Sequence, residues 1–181
     1  MPRKSYRLFL LHFLFHNVLM QSVVAAVGGF GVGIGIDGSG GGEAAVFGAL
    51  QAWKASITSD PHGLLRSWVG PNVCSYKGVF CSSTFQDEGG SGGGGPYVVG
   101  IDLNRANLEG SLVEDLAALT RLTLIHLNSN RFSGTIPAGF QALVSLQELE
   151  LSNNRLSSPF PVVILSMPSL VYLDLRFSTQ F

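Results

Sequence analysis

Cys74 and Cys81 are the only cysteines of the chain and stand seven positions apart. Two sulfurs alone do not complete a tetrahedral metal site, and no C-x-x-C pair or paired histidine accompanies them. In an exported chain they read as a disulfide, with a reactive thiol as the weaker alternative. The four histidines are His12, His16, His62 and His126. His126 reads either as a pH-sensitive contact or as a solvated strand residue. The carboxylates form no defensible acid–base pair, and neither a G-x-S-x-G element nor a P-loop occurs. Gly33-x-Gly35-x-x-Gly38 has the letters of a dinucleotide fingerprint. That fingerprint must follow a strand and open a helix, whereas this one lies in low-complexity glycine sequence. The expectation is a protein that is not an enzyme and uses no cofactor and no metal.

What remains is a surface, and a repeat must position it. From Val98 to Leu175 the chain repeats with a period of 24 residues. Val98, Leu122, Leu146 and Leu170 share one phase; Ile101, Ile125, Leu149 and Leu173 share a second; Leu103, Leu127, Leu151 and Leu175 share a third. A fixed period of this size means stacked units. The alternation in Ile125-His126-Leu127 and Leu149-Glu150-Leu151 reads as a half-buried strand, and stacking such strands gives a parallel sheet with a continuous apolar interior. Asn130 and Asn154 close the strands, where a buried amide can bond the turn and the next coil. Gly134 permits a conformation that a Cβ resists, and Pro137 and Pro161 fix φ. Phe140, Leu143, Ile164 and Met167 are expected to point into the core. Ala106 and Ser178 replace the expected Asn, and Ser158 the expected Gly, so the end copies are degenerate.

Stacking turns the outward positions of the strands into columns. One column is Asp102, His126, Glu150 and Asp174. Its neighbours are Gly100, Leu124, Glu148 and Tyr172 on one side, and Asn104, Asn128, Ser152 and Arg176 on the other. The candidate binding residues on this concave face are Asp102, His126, Glu148, Glu150, Tyr172 and Asp174. An acidic centre with an aromatic edge suits a basic ligand; the plain alternative is a set of solvated strand residues.

Residues 1–26 read as a secretory signal, with Arg3, Lys4 and Arg7 before a largely apolar stretch from Leu8 to Met20 and small residues at Ala25 and Ala26. The stretch is short of the ~20 apolar residues that a membrane span needs, so no stable span is expected. Losing those three basic residues and no acidic one takes the formal charge from −1 to −4. No basic run follows residue 7, which argues against nucleic acid as a partner. Residues 27–42 read as a Gly-rich linker. Residues 43–82 read as a cap, with a helix from Glu43 to Thr58 that turns Ala45, Leu50, Trp53 and Ile57 inward, with Phe47 alongside. A cap is needed because the first repeat would otherwise expose its apolar end. Residues 83–97 read as an inserted Gly-rich loop, and residues 98–181 as the repeats.

The pattern L-x-x-L-x-L-x-x-N-x-L-x-G-x-I-P matches the plant-type leucine-rich repeat. The cap residues Asp60, Pro61, Gly63, Leu65, Trp68, Cys74, Gly78, Val79 and Cys81 match the N-terminal cap of such proteins. The fold class is therefore an α/β leucine-rich repeat solenoid of about three and a half repeats with an N-terminal helical cap. The wording NVCSYKGVFC, with GIDLNRANLEGSL, LIHLNSNRFSGTIP and PSLVYLDLRF, resembles the leucine-rich repeat extensins of plant cell walls over roughly residues 45–177. That resemblance implies a secreted wall protein that takes small basic secreted peptides or cell-wall polymers and links wall state to growth. Three departures stand out. No Ser-Pro-Pro-Pro tract occurs, the chain stops at Phe181 soon after its fourth strand without a cap, and Ser133 stands where relatives often carry Cys. A truncated product is expected, without a covalent link at Ser133. The rival expectations are the N-terminal fragment of a receptor kinase ectodomain, for which Trp at Tyr76 would have argued, and an inhibitor of wall-degrading enzymes, which would carry more repeats.

Overall fold

The computed structural model describes residues 40–82, 96–157 and 161–176. The expected signal, most of the linker, the glycine loop up to residue 95, and Ser158 and Ser178 lie outside the described residues.

Helix α1 runs from Gly40 to Ser56, so it begins within the stretch read as linker. Its inward face is Ala49, Leu50 and Trp53, with Val46 packed beside them, at the i, i+3, i+4 and i+7 spacing of a helix. Leu50 and Trp53 are buried as expected, whereas Ala45 is exposed and Ala49, one turn on, takes the inward position instead. The helix ends before Ile57, which opens strand β1 (Ile57–Ser59). The Ser56 hydroxyl marks this change by donating to the carbonyls of Trp53 (2.8 Å) and Ser111 (3.0 Å). The Asp60 carboxylate then accepts from the amides of Leu64 (3.0 Å) and Leu65 (2.9 Å), capping the 3-10 turn Leu64–Ser67.

Strand β2 (Val79–Ser82) pairs antiparallel with β3 (Tyr97–Asp102). Parallel strands β5 (Leu124–His126), β7 (Glu148–Glu150) and β9 (Tyr172–Asp174) complete a five-stranded sheet. The register joins Ile101 to Ile125, Ile125 to Leu149 and Leu149 to Leu173, which is the 24-residue period of the sequence. A second sheet, which the sequence reading does not anticipate, runs β1-β4-β6-β8. Its later members are β4 (Glu109–Ser111), β6 (Arg131–Gly134) and β8 (Arg155–Leu156). The 3-10 turns Glu114–Ala118, Ala138–Ala142 and Val162–Ser166 lie on the return legs of the coils. The architecture is the solenoid with a helical cap that the repeats imply.

The core lies between these layers. Leu103, Leu127 and Leu151 are buried, as are Phe140, Leu143, Ile164 and Met167 from the return legs. Fully burying a leucine contributes roughly 1.5–3 kcal/mol. In the last described coil Leu170, Leu173 and Leu175 are only partly buried.

Two asparagines tie the coils together. The Asn130 amide donates to the carbonyls of Leu103 (2.8 Å) and Leu127 (3.0 Å) and accepts from the Leu108 amide (2.9 Å). Asn154 repeats this with Leu127 (2.9 Å), Leu151 (3.0 Å) and Phe132 (3.0 Å). Each amide therefore reaches back to the preceding coil, not forward to the next as expected. The strand closes before the asparagine, so the open carbonyls it meets belong to the coil already laid down. Gly134 does adopt a positive φ of 81°.

The cap is an aromatic stack. Trp53 lies 5.8 Å from Trp68 and 5.9 Å from Phe132, and Trp68 stacks on Tyr76 at 5.4 Å. Cys74 and Cys81 form a disulfide. The Tyr76 hydroxyl donates to the Gly70 carbonyl (2.6 Å) and accepts from the Gln51 amide (2.8 Å). Burial raises the Tyr76 phenol above its usual value, although the Gln51 bond works against this. Gly78 has φ 83°, and a Cβ there would meet the Asp102 carbonyl at 2.7 Å. Glycine lets the cap backbone come this close to the first repeat strand.

Candidate binding face

The strand register brings the predicted column together. Asp102 pairs with His126, His126 with Glu150, and Glu150 with Asp174. In the next column Gly100, Leu124, Glu148 and Tyr172 pair in turn. Period-two alternation turns both columns away from the core, because Ile101, Ile125 and Leu149 fill the inner face.

His126 sits among three carboxylates. Asp102 and Glu150 flank it on the neighbouring strands, and its Nε2 lies 2.9 Å from Glu148 Oε2. Glu148 is exposed, and Tyr172 is 46% exposed at the far edge. Burial raises the Tyr172 phenol first, and the charges of Asp174, Glu150 and Glu148 raise it further against the opposing pull of Arg176. Asp102 and Glu150 make no ion pair among the described residues.

Asp174 departs from the expected solvent-facing position: it is only 5% exposed. The Arg176 side chain covers it, donating from Nε (2.9 Å) and Nη2 (2.7 Å) to the two carboxylate oxygens. Burial alone would raise the Asp174 carboxyl. Hydrogen bonds and charge from Arg176, with a Ser152 contact, outweigh it and hold the group below the usual aspartate range. The third carboxylate of the column is thus already occupied.

The neighbouring column of Asn104, Asn128 and Ser152, seen in the sequence as spacing alone, is a hydrogen-bonded polar ladder. Asn104 Oδ1 accepts from the Asn128 amide (2.6 Å), Asn128 Nδ2 donates to the Ser152 hydroxyl (2.5 Å), and Ser152 reaches Asp174. The three side chains stand 24 residues apart, so the signal was present in their column. Their chemistry differs from one coil to the next, and this hid the continuity.

The descriptions of two protein families match this arrangement. The leucine rich repeat family matches residues 101–179, and the leucine rich repeat N-terminal domain matches residues 47–82. The fold is that of a leucine-rich repeat solenoid. Within the plant proteins of this type, the chain is 52% identical over 87 residues to leucine-rich repeat extensin-like protein 6 of Arabidopsis thaliana, covering 46% of this chain and 17% of that protein. It is 52% identical over 82 residues to extensin-like protein 4 of the same plant, covering 45% of this chain and 16% of that protein. The resemblance carried by the cap and repeat wording is borne out at this level, while the leucine-rich repeat chain spans under a fifth of the length of these relatives.

Solved structures agree on the fold. A chain of the BIR3–SERK2 complex from Arabidopsis thaliana superposes with TM-score 0.60 at 29% identity, covering 73% of the leucine-rich repeat chain and 68% of that chain. The Arabidopsis receptor kinase HAESA, solved with the peptide hormone IDA and the co-receptor SERK1, gives TM-score 0.59 at 27% identity, covering 74% and 21%. No helix among the described residues is long and apolar enough to cross a membrane.

Proposed function

We propose that this protein is secreted to the plant cell wall, is not an enzyme, and uses the solvent face of its five-stranded sheet to bind small basic peptides. The observation that carries this reading is the pair Asp102 and Glu150, two carboxylates without ion-pair partners among the described residues, placed either side of His126. Two unneutralised acids on the strands either side of His126 favour an incoming Lys or Arg and steer its approach. The signal-like residues 1–26 and the disulfide support export. The extensin-like relatives support the wall, and the peptide-bound HAESA structure supports the ligand class.

The test is a titration of the secreted protein with a capped Lys/Arg-rich peptide, comparing wild type with Asp102→Asn plus Glu150→Gln. The Asn retains an oxygen for the Asn104 amide, which Asp102 now accepts at 3.0 Å. Affinity is expected to fall roughly tenfold or more in the double variant and to weaken with salt in the wild type. Equal affinities at low salt would remove the site. A neutral glucan oligosaccharide in parallel separates the wall-polymer alternative, since its binding should not respond to either carboxylate.

A further inference from the structure

The face carries a second row that the acidic column does not use. Phe80, on the antiparallel strand of the cap, is 53% exposed and pairs with Gly100, which pairs in turn with Leu124. Paired residues share one face of a sheet, so these three lie in a row on the solvent side. Gly100 has no side chain, and a Cβ there would stand 3.0 Å from Leu124 Cγ. The Leu124 side chain therefore packs over the glycine, which is buried beneath it. Phe80 and Leu124 together make a shallow apolar strip on the solvent side. Neither is needed to seal the core, which Val79 and Ile125 close from the opposite face.

The apolar strip and the acids hold a fixed relation. Gly100 and Asp102 are two residues apart on one strand, as are Leu124 and His126 on the next. The apolar row and the row of Asp102, His126 and Glu150 are therefore separated by two strand steps, about 6.5–6.8 Å. That is also the distance between side chains i and i+2 on one side of an extended peptide. We infer that this face reads a two-point motif, an apolar or aromatic side chain followed two residues later, in either chain direction, by a Lys or Arg. The apolar group lies against Phe80 and Leu124, and the cation lies over His126 between Asp102 and Glu150. Charge complementarity selects a basic partner over an acidic polymer, and the exposed Phe80 with Leu124 gives the apolar group a surface to bury against. This inference rests on the peptide-binding reading above and narrows it from any basic peptide to one with a defined spacing.

A phage-displayed library of linear peptides, panned on the immobilised full-length secreted protein at low salt, tests it. The expected result is enrichment of Lys or Arg two positions from Phe, Leu, Ile or Met, roughly tenfold over spacings of one or three. Phe80→Ser with Leu124→Asn should abolish the apolar preference and keep the basic one. Asp102→Asn with Glu150→Gln should do the reverse. Basic residues enriched without a spacing preference would overturn the two-row motif and leave the peptide reading standing. Enrichment that ignores basic residues would overturn both. The wild-type spacing preference needs no variant, so a misfolded mutant does not remove the test.

Discussion

The Arg176 guanidinium grips both oxygens of the buried Asp174 carboxylate, at 2.9 and 2.7 Å. The carboxyl is thereby held below its usual value of 3.8. A carboxyl with a lowered folded-state pKa contributes stability that is present above the unfolded value and lost as pH falls through the folded one. Asp174→Asn should therefore lower the denaturation midpoint at pH 6. The gap from wild type should close once pH falls below 3.8 and through the folded value. Urea midpoints at several pH values check this. A constant gap across the series would mean that the pair does not titrate in the folded protein as argued.

Asn154→Ala should destabilise the fold by roughly 1–3 kcal/mol, because it strands the Phe132 amide in the core and a buried group left unpaired costs about that much. The Leu127 carbonyl keeps its bond from Asn130, which limits the loss. Thermal melting of the variant beside wild type measures it, and a shift of a degree or less would show that water replaces the amide.

Replacing Cys74 and Cys81 together by Ser should cost ~2–3 kcal/mol by the chain-entropy estimate for so short a loop. Thiol counting of the secreted protein under denaturing conditions should find no free thiol in wild type. Two free thiols would show that the bridge does not form in the cell.

Tyr76→Phe should cost about 1–2 kcal/mol. The ring would still stack on Trp68, but the Gly70 carbonyl would lose its donor and the Gln51 amide one acceptor. Gln51 also reaches the Trp68 carbonyl at a longer 3.4 Å, so most of the loss falls on Gly70. Chemical denaturation of the pair of proteins decides it.

The strand register and the apolar columns were legible because every coil solves the same packing problem with the same residue class. Leu103, Leu127 and Leu151 could be aligned by eye. The second sheet was not legible. Its strands are two to four residues long, too short for the alternation of Arg131, buried Phe132 and Ser133, or of Arg155 and buried Leu156, to stand out. On the helix Leu50 and Trp53 turned inward as their spacing said, but Ala45 and Ala49 are the same residue type one turn apart, and only the tertiary contacts choose between them. At the candidate face, Asp102, His126 and Glu150 fell where the period put them. Asp174 did not stay exposed, because its burial depends on a neighbour two residues on. Spacing between coils says nothing about a contact made within one turn. The backward reach of Asn130 likewise depends on the order of the coils, which the residue type alone does not encode.

Both tryptophans of the chain lie in the cap, and the ring of Trp53 touches the repeats at Phe132. Repeat arrays unfold by nearest-neighbour coupling, so a coil can be lost at one end while the other persists. Intrinsic tryptophan emission is consequently a reporter of the cap and the first coils alone. Fraying around Leu173 would be spectroscopically silent to it, and a fluorescence melt would report a higher midpoint than backbone dichroism on the same sample. The optical probe this sequence carries watches only one end of the molecule.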